Sequence, residues 1–142
     1  MDIDWDLLES CAGLANAGDI PESIEHLFSS DAKLREKGYW GIDNHAVVQS
    51  DLYSSAPYAA RLIVDRFLQG KVVTYELVNI FFELFNGSGP EVLKVGLLQG
   101  ETIESLCRKI IREVKLELTQ QLDGLEPDLA IEVESLIELF NE

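Results

Sequence analysis

Glu22 and His26 stand four residues apart, a spacing that places both on one face of a helix and suits a divalent cation. Zinc asks for three or four protein ligands. The only other histidine, His45, lies far along the chain, so no metal site is expected. Ser54, Ser55 and Cys11 are the nucleophile candidates. None has a base near it in sequence, and serines just before an apolar helical run read as helix caps. Cys11 and Cys107 each fall inside an apolar helical pattern, Leu7-Cys11-Leu14 and Ile103-Cys107-Ile110, and read as small core residues rather than a disulfide. Gly87-Ser88-Gly89 lacks the lysine and the following helix cap of a phosphate loop. A carboxylate pair in a cleft can hydrolyse glycosides, but among 26 acids any one pair is uninformative. No catalytic residue and no cofactor is expected.

The chemistry that remains is charge. The net charge is −15 on 142 residues, of which 46% are hydrophobic. That apolar content suits a folded core, so the acids must lie on a folded surface. Such a surface repels nucleic acid and anionic membrane and attracts basic partners. Residues 1–44 carry ten acids against three bases, residues 45–100 five against four, and residues 101–142 eleven against four. The two ends are acidic and the middle is nearly neutral.

The expected partner-binding carboxylates lie at those ends. Asp2, Asp6 and Glu9, with Asp4, flank the first helical stretch. Glu126, Asp128 and Glu132 open the last one. Beyond them Glu134, Glu138 and Glu142 repeat at i, i+4 and i+8, with no basic neighbour on the row. Like charges at that spacing cost helix stability, so the row points mildly to use. The plain alternative is a solvated surface. Trp40, beside Tyr39 and Gly41, reads either as an interface anchor or as the edge of the core. Trp5 reads as core. Tyr53 and Tyr58 read as structural, with the Tyr53 hydroxyl bonding loop backbone.

The elements that would carry these residues are helical throughout. Apolar residues at helical spacing predict helices over 4–17, 21–29 and about 32–40, the last weakened at its end by Gly38 and Gly41. Residues 41–54 form an irregular link with a short extended piece near 46–49. Helices follow over 55–69, capped by Ser54 or Ser55, and over 72–86. The second of these is apolar on most of its circumference and therefore central. Asn86-Gly87-Ser88-Gly89-Pro90 breaks the chain. The cleanest stripe, Ile103, Leu106, Ile110, Val114 and Leu118, predicts one helix over 102–122, with Glu104–Arg108 and Lys109–Glu113 as i,i+4 pairs. A final helix runs over 127–141. The expected fold is all-α: one domain over 1–142, a short α-solenoid of stacked antiparallel helix pairs, with a closed bundle as the competing arrangement. The first residues are acidic, unlike a secretory leader, and no apolar run is long enough to span a bilayer, so a cytoplasmic protein is expected.

Two stretches carry a resemblance. Trp5, Leu8, Gly13, Ala15, Pro21, Leu27, Ser30, Asp31 and Arg35, followed by Gln49, Leu52, Tyr53, Ser54 and Ala56, are similar to the opening of a family of small bacterial HEAT-like repeat proteins. The match covers the first half of the chain. It departs at Val48 and Ser50, where the family tends to have His and Gly. The resemblance implies an α-solenoid that binds protein on a concave face. It also implies an immunity protein encoded beside a secreted or contact-delivered bacterial toxin, without enzymatic activity.

Two functions follow as expectations. The first is an immunity protein that neutralises a basic toxin domain, such as a nuclease, through acidic surfaces. Nucleases are basic because they hold phosphates, and an acidic inhibitor captures them by long-range steering. The second is a non-enzymatic scaffold or adaptor whose acidity serves solubility.

Overall fold

A computed structural model describes residues 19–48, 51–93 and 98–142; the side chains of Asn44, His45, Val47, Val48 and Asp51 are outside that description. The fold is all-α, with helices α1 (Ile20–Leu27), α2 (Ala32–His45), α3 (Ala56–Gly70), α4 (Tyr75–Asn86), α5 (Ile103–Ile111), α6 (Lys115–Gln121) and α7 (Pro127–Phe140). The expected helix over 4–17 lies outside the described residues. A two-residue antiparallel ribbon, β1 (Val47–Val48) and β2 (Asp51–Leu52), pairs Val47 with Leu52 between α2 and α3. It realises the extended piece expected there. None of the described helices is long and apolar enough to cross a membrane.

Helix starts follow backbone conformation. Asp31, Thr74 and Thr102 are extended and accept from Lys33 N, Leu77 N and Ser105 N. Ser55 holds the N-cap position of α3, but its backbone is already helical (φ −74°, ψ −19°) and its side chain makes no cap bond. The expected serine cap is therefore absent at Ser55, because a side-chain oxygen reaches the first free N–H groups only from an extended residue. At the other end of α3 the left-handed turn falls on Lys71 (φ 58°), one residue beyond Gly70.

α2 does not weaken at its glycines; it runs through both. A β-carbon at Gly38 would lie 2.4 Å from Leu27 N and Ser23 O, and one at Gly41 would lie 2.0 Å from Ser23 Oγ. Spaced three apart, the glycines share one face of α2. They let it lie backbone to backbone on α1, which offsets their low helix propensity.

α4 is central, as its all-round apolarity predicts. Leu77, Val78, Ile80, Phe81, Leu84 and Phe85 are buried, and the helix packs against α2, α5 and α7. Phe81 meets Phe67 of α3 edge to face at 5.8 Å, and Phe85 meets Phe140 of α7 at 5.1 Å. Simple stacking of consecutive pairs would make α3 and α4 each other's main partner. Instead both lean chiefly on α5.

The stretch expected as one helix is interrupted by a 3-10 turn at Arg112–Val114, which separates α5 from α6. The apolar stripe runs through the interruption, since Ile110, Val114 and Leu118 are all buried. The tighter turn moves no core position of the stripe to the surface. Glu104–Arg108 forms as expected at 2.9 Å. The Lys109–Glu113 pair does not: Glu113 is taken by Arg61 of α3, which binds it through two nitrogens at 2.7 and 2.8 Å. A bidentate guanidinium contact outcompetes a flexible i,i+4 lysine.

Candidate functional site

One face of α2 presents Ala32, Arg35, Glu36, Tyr39 and Trp40, residues at helical spacing, toward the start of α4. Between them lies an open cleft of about 580 Å³, closed at one side by Val73, Tyr75 and Leu129. Trp40 is 50% exposed and Tyr75 39%, so two large rings line a surface that water can reach. Tyr39 and Trp40 meet edge to face with centroids 5.0 Å apart.

Arg35 anchors this face. Its Nε donates to Glu76 Oε1 at 3.3 Å, and its Nη1 donates to the carbonyls of Ser29 and Ser30 at 3.2 and 3.1 Å. It thereby ties the α1–α2 turn to the first turn of α4. The Tyr75 hydroxyl donates to Glu126. That bond, together with the nearby charges of Glu126, Asp128 and Glu132, pushes the Tyr75 hydroxyl up to about 12. Glu126 is thus bound directly to Tyr75, and Asp128 and Glu132 lie near enough to act on it. The cleft's own lining acids are Glu76, bound by Arg35, and Glu36, exposed on α2.

Behind Trp40, the Tyr39 hydroxyl donates to Glu83 Oε1 at 2.9 Å. Burial, reinforced by a hydrogen bond with Asp43, pushes the Glu83 carboxyl up to about 7. Its second oxygen, Oε2, is buried with no donor among the described residues. Burial and the bond to Glu83 also push the Tyr39 hydroxyl upward.

Of the expected partner-binding residues, Trp40 lines the cleft. Glu134 and Glu138 are exposed on α7, and Glu142 is exposed just beyond it. Among the described residues none of the three makes an ion pair. Arg35, Arg61, Arg66, Lys71 and Arg108 are each held by a carboxylate elsewhere. No contact joins the row to Trp40 among the described residues. Asp2, Asp6, Glu9, Trp5 and Cys11 lie outside them.

Cys107 is buried, and burial pushes its thiol well above the usual range. Among the described residues no group of three or more His, Cys, Asp or Glu side chains is placed to hold a metal ion. The Gly87–Gly89 loop is a packing element. Its Ser88 carbonyl accepts from Leu52 N at 2.9 Å and its Gly89 carbonyl from Glu104 N at 2.7 Å. The hydroxyl-to-backbone bond expected of Tyr53 is one that Tyr58 makes, accepting from Leu98 N at 3.0 Å.

Tyr75 and the Asp43–Glu83 pair were not singled out by sequence. Tyr75 opens a helix three residues after an exposed Val72, and Glu83 interrupts an otherwise apolar run, Ile80-Phe81-Phe82-Glu83-Leu84-Phe85. An acid inside such a run was the available signal. No family model, no curated protein and no solved structure matches the chain.

Proposed function

We propose that the chain is a non-enzymatic inhibitor of the immunity type, acting in the cytoplasm, which binds a basic toxin domain and occludes its working surface. The observation that carries this reading is the row Glu134, Glu138 and Glu142, exposed and without an ion pair among the described residues, while five basic side chains are committed to other carboxylates. α7 ends at Phe140, so of the expected row only Glu134 and Glu138 are a helical i,i+4 pair, whose repulsion costs about 0.2–0.5 kcal/mol, and Glu142 lies beyond the helix. Unpaired carboxylates on and just beyond a helix steer a positively charged protein and form charge-assisted bonds with its arginines. The resemblance to small bacterial HEAT-like proteins supports the same reading.

A scaffold whose acidity serves solubility is the second reading. It is favoured by the surface pairs Arg66–Glu25 and Arg61–Asp65, which belong to a solvated exterior. The test that separates the two is co-expression with the product of the gene beside this one. Growth arrest by that product, relieved by this chain and not by its Glu134→Gln, Glu138→Gln, Glu142→Gln variant, supports the inhibitor. A neighbour that is neither basic nor toxic removes it.

A further inference from the structure

We propose that the cleft between α2 and the start of α4 seats an arginine side chain of the partner protein, stacked on Trp40 and held by the surrounding carboxylates. The proposal rests on the inhibitor reading and names the contact that the acidic row lacks: a place where a steered partner becomes anchored.

The occupant is defined by the walls. Trp40 is the most exposed aromatic ring of the cleft, and an indole face is the strongest cation–π acceptor among side chains. Its edge-to-face contact with Tyr39, whose hydroxyl is fixed on Glu83, restrains the ring before anything binds. Little ordering is then left to complete on association. Val73 and Leu129 supply an apolar floor for methylenes. Glu36 and Glu76 come from the same walls, while Glu126, Asp128 and Glu132 lie near enough to act on Tyr75.

Two carboxylates and one cation line the cleft: Arg35 is engaged with Glu76 and two carbonyls, and Glu36 makes no ion pair among the described residues. The cleft is therefore aromatic and negative at once. An arginine fits both properties: its planar guanidinium stacks on indole and bonds carboxylate in a fork, whereas a lysine ammonium is compact and more strongly hydrated. An anionic segment meets the unpaired Glu36.

A blocked hexa-arginine peptide, with hexa-lysine as comparison, tests this by two-dimensional NMR of the intact chain. The two indole N–H signals, from Trp5 and Trp40, are assigned with Trp40→Phe. Expected are a saturable shift of the Trp40 signal with hexa-arginine, tighter binding than to hexa-lysine, and an affinity lower by about tenfold in Trp40→Ala, between the sizes of an exposed and a desolvated cation–π contact. Glu36→Gln lowers the affinity with the fold untouched. Glu134→Gln, Glu138→Gln, Glu142→Gln leaves the Trp40 shift in place.

An unmoved Trp40 signal, or equal affinity in Trp40→Ala, overturns the cleft. If hexa-arginine still binds in a way the α7 triple variant abolishes, the cleft fails and the acidic row stands. If neither variant changes binding, both fail.

Discussion

The Tyr39 hydroxyl donates a 2.9 Å hydrogen bond to Glu83 Oε1, joining α2 to α4 behind the exposed ring of Trp40. The carboxyl that accepts it is pushed up to about 7 by burial and by Asp43. A folded-state pKa above the unfolded value of about 4.5 means that the native state holds this proton more tightly. The contribution is full below about pH 4.5 and is lost as pH rises through 7.

Glu83→Gln keeps an acceptor for Tyr39 and removes the ionisation. Denaturant unfolding of parent and variant at several pH values measures the effect. At pH 8 the variant is expected to be more stable by about 1–2 kcal/mol, discounted for a partly exposed site, and the gap closes toward pH 5. A gap that is constant across this range contradicts the assignment.

Gly38→Ala and Gly70→Ala have opposite signs. At Gly38 the new carbon meets the backbone of α1 at 2.4 Å, so the helices must separate, at a cost of about 3 kcal/mol or more. At Gly70 nothing lies within 4 Å, and removing a glycine from the last turn of a helix gains up to about 1 kcal/mol. Thermal unfolding distinguishes them, and equal effects would contradict the close approach of α1 and α2.

Much of this architecture was legible in the chain. The stripes Leu129-Val133-Leu136-Phe140 and Leu77-Ile80-Phe81-Leu84 report buried faces directly, because a helix on a core must repeat its apolar residues at that spacing. What stayed hidden depends on a second element. Gly38 and Gly41 weaken a helix considered alone, and only the backbone of α1 explains them. The 3-10 turn at Arg112–Val114 was invisible because the buried stripe continues across it. Trp40 and the acidic row were identifiable by type and spacing. The cleft was not, since Tyr39 and Trp40 meet Tyr75 only through the packing of α2 on α4.

Arg61 joins α3 to the turn after α5, binding Glu113 through two nitrogens and Asp65 at 2.7 Å. Arg61→Lys keeps the charge and loses the fork, and is expected to cost about 0.5–1 kcal/mol. The Arg61 hydrogen bonds hold the Glu113 carboxyl below the usual carboxylate range. The stabilisation is therefore present above pH 4.5 and fades as pH falls below it. Urea unfolding at pH 7 and pH 3 should show the cost of Arg61→Lys shrinking at the lower value.

Glu134→Gln, Glu138→Gln, Glu142→Gln removes repulsion along α7 and touches no ion pair among the described residues. Its melting temperature is expected to equal or slightly exceed that of the parent, with about 0.2–0.5 kcal/mol released by the one helical pair, Glu134 and Glu138. A marked loss of stability would mean that the row serves the fold.

Capture of a basic protein by displayed carboxylates is tested most directly by the association rate with the protein encoded beside this chain, followed by stopped flow from about 20 to 300 mM salt, a range over which the screening length falls below the reach of surface charges. The rate is expected to drop by at least about tenfold across the range, with a shallower slope in the α7 triple variant. A rate that stays flat with salt, identical in parent and variant, contradicts electrostatic capture.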